Sequence, residues 1–399
     1  MADGPQVIII GAGILGLAGA YHIIRHSERR LNLLVIDRLP GPGRGNTARS
    51  AAAYRDIFSS PLNRALSLGS IAFYEKIQRE VTPLGLQKIG YLWLLTAHQV
   101  HKARGVLDSL IAAGLELDIL GPHQLEQLLP QLRMGDISQG LLGRNCGILN
   151  PNLLCRFYEQ RVRELGGELM YNAPVTGFAT DGNGRITGVR VGDQILRADT
   201  VVVATGAWMN PTLTPAGLQV PVVPRKRQLF AVAAREGHLQ QLLHTPGLNA
   251  HNLLPFTILP GGAYLRPASG SFILGYANED QPPGLEEHPA AEGDFFAKLL
   301  KPQVEPYFPA FGGAVPEYAW AGHYADHPPD SLPFVDRVGG VLVVGGDSGS
   351  GIMKADSLGR IVAGFYYGRD RVELGHGHSF RVKDLGLAGR SLAPEELII

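Results

Sequence analysis

Cysteine is nearly missing from this 399-residue chain: only Cys146 and Cys155 occur, nine positions apart. Two cysteines build neither a disulfide framework nor a four-cysteine metal centre, and a chain of this length buries a sizeable core without either. A reducing compartment is the simplest expectation. Charge of one sign is missing too, because 36 basic residues face 36 acidic ones and no run of five or six like charges occurs. That removes the electrostatic footprint of a phosphate-backbone binder, so no nucleic-acid partner is expected. No stretch approaches the roughly 18 uninterrupted apolar residues of a spanning helix, so no transmembrane segment is expected. The opening Met1-Ala2-Asp3-Gly4-Pro5 carries an acid where a secretory signal needs basic residues, which argues against an export leader. The expected location is cytoplasmic, free or peripheral to a membrane. The thirteen histidines form no ligand set, since His376 and His378 lack a third ligand nearby, and no metal is expected.

What the chain does contain is 51 glycines and 28 prolines spread along its whole length. They read as many tight turns rather than low-complexity disorder. The strongest local signal is in the first forty residues. A β-branched run at 6–10 is interrupted by GAGILG (11–16), helical spacing follows over 17–26, and a second apolar run at 31–36 ends at Asp37. This is a β-turn-α-β unit short enough for its strands to be parallel neighbours.

A lone G-x-G-x-x-G is weak evidence, but here the first glycine follows a strand, the third opens a helix, and an acid stands 21 residues beyond Gly16. Gly11 permits the turn, Gly13 lets backbone approach a pyrophosphate, and Gly16 allows close helix packing. The helix N-terminus supplies oriented N–H groups, and Asp37 accepts from ribose hydroxyls. The alternative is a structural βαβ unit with no ligand.

Further along, helices are expected at 63–80, 98–113, 151–165, 292–300 and 356–367, and strands at 90–96, 168–171, 175–178, 185–191, 200–204, 226–233, 264–276 and 341–344. Asp181-Gly182-Asn183-Gly184 should close a hairpin. Residues 320–336 read as irregular and proline-rich.

Three later features favour FAD over NAD. VVVATGAW (201–208) is a strand running into a small-residue turn. GGDSGSG (345–351) follows another buried strand, opens a helix at Asp356, and could present its N–H groups to flavin carbonyl oxygens with Asp347 reaching the ribityl chain. The dinucleotide unit stands at the start and its partner strand more than 300 residues later, which implies a discontinuous cofactor domain.

These residues resemble the D-amino-acid oxidase superfamily of FAD-dependent oxidoreductases, within it the sarcosine oxidase, glycine oxidase and dye-linked L-proline dehydrogenase group. The match spans nearly the whole chain: GAGILG, the Asn46-Thr47-Ala48-Arg49-Ser50 loop, ATGAW, Pro224-Arg225-Lys226-Arg227-Gln228, Tyr264-Leu265-Arg266-Pro267 and the terminal glycine-rich turn. Trp320-Ala321-Gly322-His323-Tyr324 followed by GDSGSGIMKADSLGRI is also similar to a branch containing mitochondrial respiratory-complex assembly factors. The resemblance implies an α/β fold in which a discontinuous Rossmann-like FAD-binding domain (1–75, 145–215, 320–385) carries a mainly antiparallel substrate domain (76–144, 216–319), with 386–399 as a tail. The candidate cofactor residues are Gly11, Gly13, Ile14, Leu15, Gly16, Asp37, Arg38, Asn46, Thr47, Ala48, Val175, Thr205, Gly206 and Trp208. To these the second turn adds Gly346, Asp347, Ser348, Gly349, Ser350, Gly351, Ile352, Met353 and Lys354. In covalent relatives a cysteine attaches the flavin where this chain has Gly322, His323 and Tyr324, so the FAD is expected to be non-covalent.

Amine oxidation removes a hydride equivalent from the α-carbon, so the protein must orient that C–H and fix the carboxylate. Candidates for the carboxylate are Arg49 and Arg55, with Tyr54 beside them, and Lys354, for which Met353 competes by one position. Arg266 is a further cation on a strand. His323 is the base that an alcohol-oxidising alternative needs. Sarcosine oxidase-like members have a lysine near the flavin that assists reaction with oxygen. The comparable strand here, 270–276, has no cation, and Arg266 would lie about 20 Å from Phe272 in an extended chain. The expected activity is FAD-dependent dehydrogenation of a small secondary amino acid, proline- or sarcosine-like, with electrons going to a quinone, dye or partner protein. A 2-hydroxy-acid or glycerol-phosphate dehydrogenase and a non-catalytic flavoprotein assembly factor are the alternatives.

Overall fold

The strand β1 (Gln6–Ile10) is buried from Val7 onward and is the middle of a six-stranded sheet. The computed structural model describes residues 6–235 and 237–395. The expected lack of an export leader over 1–5 falls outside them, as does the end of the tail, 396–399. β1 pairs in parallel with β2 (Asn32–Ile36) on one side and with Thr200–Val203 on the other. The sheet runs in the order Phe334–Val338, Val341–Gly345, Thr200–Val203, β1, β2, Glu168–Met170. Phe334–Val338 alone is antiparallel. Strands covered on both faces read as continuous apolar runs, as the four central ones do, whereas the edge strands Glu168–Met170 and Phe334–Val338 carry charged residues.

The helix α1 (Ile14–Arg25) lies against Ala355–Tyr366, close enough that a Cβ on Gly359 would stand 2.6 Å from the Ala18 carbonyl oxygen. At this crossing the buried Asp356 carboxylate meets His22 Nε2 at 2.7 Å and accepts from Tyr158 Oη at 3.1 Å and Arg360 Nε at 2.7 Å. The Pro61–Glu80 helix begins where its chemistry says it should, with Pro61 in the first turn and Ser60 Oγ accepting from Asn63 N. Asp181 closes its hairpin by accepting from the N–H groups of Asn183 and Arg185.

The second large sheet has eight strands, in the order Tyr318–Asp326, Val223–Ala233, Ser271–Tyr276, Ala263–Ala268, Phe256–Ile258, Tyr91–Thr96, Ile137–Gly143, Leu117–Leu120. All its pairs are antiparallel except Phe256–Ile258 with Tyr91–Thr96. The fold is α/β, a largely parallel sheet joined to a mainly antiparallel one.

Three expectations are corrected here. The segment read as irregular holds the nine-residue strand Tyr318–Asp326, paired with Val223–Ala233 from Val223↔Asp326 to Ala231↔Tyr318, because all its prolines lie at 328 and beyond. The strand expected over 264–276 is a hairpin, in which Gly270 at φ +62° turns the chain and sets Arg266 opposite Ile273. Arg266 is therefore beside the 271–276 strand, and the extended-chain separation does not apply. The helix expected over 292–300 begins as a π-turn at Phe296–Leu300 and continues through Lys301–Val304.

Candidate active site

The two large sheets meet around a cavity of about 500 Å³. Its first wall is the turn after β1. Gly11 adopts φ +107°, and its N–H donates to the Ile36 carbonyl at 2.8 Å, which ties the turn to β2. Asp37 then braces the turn: Oδ2 accepts from Ala12 N at 2.6 Å and Oδ1 from Leu39 N at 2.8 Å. Burial pushes this carboxyl upward, against those two donors. Gly16 faces the turn itself, where a Cβ would overlap the Gly11 carbonyl. A Cβ on Gly13 would meet only Thr47 Oγ1, at 3.6 Å, and would otherwise project into open space. Thr47 Oγ1 also accepts from Ile14 N at 3.2 Å, at the start of α1.

The second wall is the turn after Val341–Gly345. Asp347, Gly349, Gly351, Ile352 and Met353 line the cavity. Gly346, Ser348, Ser350 and Lys354 are not on its wall, and the last three tie the turn down. Ser348 Oγ accepts from His327 N at 3.0 Å, and Lys354 Nζ donates to Ser350 Oγ at 2.6 Å. Lys354 is fully buried, 4.6 Å from the centre of the Phe58 ring, over which Arg55 also lies at 4.2 Å. Arg55 donates to the Ile57 carbonyl and, like Tyr54, is absent from the cavity wall.

Of the sequence candidates, Gly11, Gly13, Ile14, Leu15, Asp37, Arg38, Asn46, Thr47, Arg49, Val175, Thr205, Gly206, Trp208 and His323 do line it, and Gly16 and Ala48 stand behind it. Two loops are pinned together here: Asn46 Oδ1 accepts from His323 N at 3.0 Å, and the Arg49 carbonyl accepts from Trp320 Nε1 at 3.0 Å. A Cβ on Gly322 would press within 3.2 Å of both Asn46 and Arg49.

His323 has a defined tautomer. Its Nε2 lies 3.1 Å from the Glu286 N–H, which can only donate, so Nε2 accepts and the proton sits on Nδ1. Burial holds the imidazole below its ordinary pKa, in the neutral form. Nδ1 is buried and has no partner among the described residues.

The far compartment is one that sequence reasoning missed. Tyr91 and Phe256 stack at 4.2 Å, Phe256 and Tyr264 at 5.1 Å, and all three line the cavity with Tyr324. Arg227 enters beside them, 5.2 Å from the centre of the Tyr324 ring. Its Nη1 is committed to the Asn278 carbonyl at 3.0 Å, while its Nε is buried and without a partner among the described residues. The available signal was strand alternation: Arg225, Arg227 and Leu229 share a face of Val223–Ala233, and Leu229 is a cavity residue. Arg266 is partly buried, its pKa pulled down to about 10 by desolvation, and is not on the wall.

The family model for FAD dependent oxidoreductases (DAO) matches residues 6–364. The chain belongs to that family. It is an FAD-dependent oxidoreductase. FAD dependent oxidoreductase domain-containing protein 1 of Xenopus laevis is 26% identical over 411 residues, covering 90% of this chain and 79% of that protein. Glycine oxidase of Pseudomonas putida is 24% identical, covering 84% of this chain and 86% of the enzyme. The crystal structure of L-proline dehydrogenase from P. horikoshii superposes with a TM-score of 0.82 at 22% identity, over 97% of both chains, and establishes the fold. The walls fit FAD in kind: a glycine cradle that a Cβ would fill, an orphaned imidazole N–H, and an acid at the end of β2. Among the described residues no helix is long and apolar enough to cross a membrane, and no group of His, Cys, Asp and Glu could hold a metal ion.

Proposed function

We propose that this protein is a dehydrogenase that oxidises a small secondary amino acid, proline- or sarcosine-like, with non-covalently held FAD and an electron acceptor other than oxygen. The observation that carries this reading is a single cavity. It joins the dinucleotide turns to an aromatic compartment into which Arg227 brings an unpartnered Nε.

The roles follow from position. The turn at 11–16 and the N-terminus of α1 offer N–H groups to the pyrophosphate, and Asp37 accepts from the ribose. Bound FAD supplies the hydride acceptor for the substrate α-carbon. Arg227 holds the substrate carboxylate through its Nε edge, with Arg49 as the second guanidinium reaching the cavity. Tyr91, Phe256 and Tyr264 exclude water and pack a small ring or N-methyl group. Non-covalent attachment is supported by the cysteines, since Cys146 and Cys155 are buried and neither lines the cavity.

The hydroxy-acid alternative asks His323 to take a proton. Its Nε2 is already occupied by the Glu286 N–H and its Nδ1 carries the proton, which favours a hydrogen-bond donor over a base. Turnover of a substrate panel with an artificial acceptor tests the proposal. Proline or sarcosine should be the fastest substrate. Faster turnover of a 2-hydroxy acid would install the alcohol reading, and a flavin-loaded protein inert to every amine would point to an assembly factor.

A further inference from the structure

One loop of the antiparallel sheet reaches the cavity wall through a single residue, Glu287. The only three consecutive basic residues of the chain, Arg225-Lys226-Arg227, pin down the loop 278–292. Arg225 donates to the carbonyls of Glu279 and Gln281, and Arg227 to that of Asn278. Lys226, only 12% exposed, pairs with Glu286 at 2.8 Å and Glu292 at 2.7 Å. Gln228 Oε1 accepts from Glu292 N at 2.6 Å. Both roots of the loop are thus fixed to the antiparallel sheet.

Its tip is not. Glu287 reaches the other sheet, where one carboxylate oxygen pairs with Arg38 and the other accepts from Trp208 Nε1 at 3.2 Å. The Arg38 guanidinium also lies 4.8 Å from the centre of the Trp208 ring, and Trp208 meets the His323 ring edge-on at 5.6 Å. Arg38, Trp208 and Glu287 all line the cavity, and Arg38 directly follows the ribose-side acid Asp37. The latch cation Arg38 is 34% exposed against 12% for Lys226, while Glu287 at 55% is only slightly more exposed than Glu286 at 47% and Glu292 at 45%. Exposed pairs are weak and salt-screened, so the tip is where this bridge opens.

We propose that residues 278–292 form a strap over the dinucleotide end of the cavity, latched by Glu287 onto Arg38 and Trp208, and that this latch sets how fast FAD leaves the protein. The strap bridges the two sheets, so a dinucleotide beneath it leaves only after the Glu287 contacts break. The inference rests on FAD occupying this cavity and not on the identity of the amine.

The test is the rate of FAD release from the loaded protein without substrate, followed by the rise of free-flavin fluorescence on dilution. Glu287→Ala should release FAD about 5- to 30-fold faster, from the loss of a screened ion pair and one hydrogen bond, and the near-isosteric Glu287→Gln, whose amide oxygen can still accept from Trp208 Nε1, about 2- to 5-fold faster, from the loss of the ion pair alone. Release from the unaltered protein should accelerate with added salt, and release from Glu287→Gln should accelerate less. Glu317→Gln, which breaks the exposed Arg235–Glu317 pair away from the cavity, should change neither. Unchanged release with unchanged salt response in Glu287→Gln would overturn the latch, as would equal acceleration by Glu317→Gln. A failure of amine turnover leaves these rates untouched, so the two proposals fail separately.

Discussion

Lys354 donates to the Ser350 hydroxyl at 2.6 Å and is absent from the cavity wall that its neighbour Met353 lines. Burial, and then the positive charge of Arg55, bring its amine from an ordinary 10.5 to about 7. Between those values the unfolded chain binds more protons than the folded one, so this group makes stability rise with pH from about 7 to 10.5. Lys354→Met removes a buried cation at similar volume. The variant should be more stable than the parent by about 1–4 kcal/mol at neutral pH and below, with the gap closing toward the top of that window. Urea titrations at about pH 6.5, 8.5 and 10 measure it. A gap that does not shrink would show that the gain comes from packing.

Gly13 and Gly16 should separate cofactor loss from misfolding. Gly13→Leu places its side chain in the cavity, so the protein should fold yet purify colourless. Any side chain at Gly16 drives into the Gly11 carbonyl and should leave little soluble protein. Flavin absorbance and thermal melts tell the two apart. In the parent, acid precipitation should leave the flavin in the supernatant, and colour in the pellet would disprove non-covalent binding.

The first forty residues were legible because their demands are local: a turn needing Gly11, a helix start, and an acid where β2 ends. The antiparallel sheet was less so. Ala263–Ala268 and Ser271–Tyr276 read as one strand because Gly270 is a weak signal among 51 glycines. Arg227 and Tyr264 stood in quoted motifs but were not joined with Tyr91 and Phe256 into one compartment, because these residues come together only through strand pairing between distant segments, such as Tyr91↔Phe256. Lys354 and Arg55 are cations in the right stretch of chain, but their side chains pack over Phe58, and sequence order carries no side-chain direction for irregular turns.

Arg227→Met should lower kcat/KM by about 30- to 1,000-fold, the equivalent of roughly 2–4 kcal/mol for a buried charge-assisted contact, with flavin content intact. Most of the loss should appear in KM for amino-acid substrates. Steady-state kinetics with an artificial acceptor checks this, and near-normal efficiency would remove Arg227 as the carboxylate anchor.

Among the described residues the cations on the cavity wall are Arg38, Arg49 and Arg227, and no lysine is among them. A cation beside the reacting centre stabilises developing superoxide, and Arg227 is to be neutralised by the substrate carboxylate. Protein reduced by substrate without air should therefore reoxidise in aerated buffer more slowly than it turns over with a quinone or dye. Stopped-flow mixing gives both rates, and matching values would make the protein an oxidase.

The His22–Asp356 contact joins residues 334 positions apart, and β1 sits between strands from 32–36 and 200–203. During synthesis, the helix that follows the dinucleotide turn has no carboxylate for its buried His22 until residue 356 has left the ribosome. Contacts this far apart in sequence form late, and the early segment waits with its apolar surface uncovered. A nascent chain stalled before residue 355 should hold no flavin. The walls of the dinucleotide cavity are thus made more than 300 residues apart, and the first of them waits through the synthesis of everything between before the second exists.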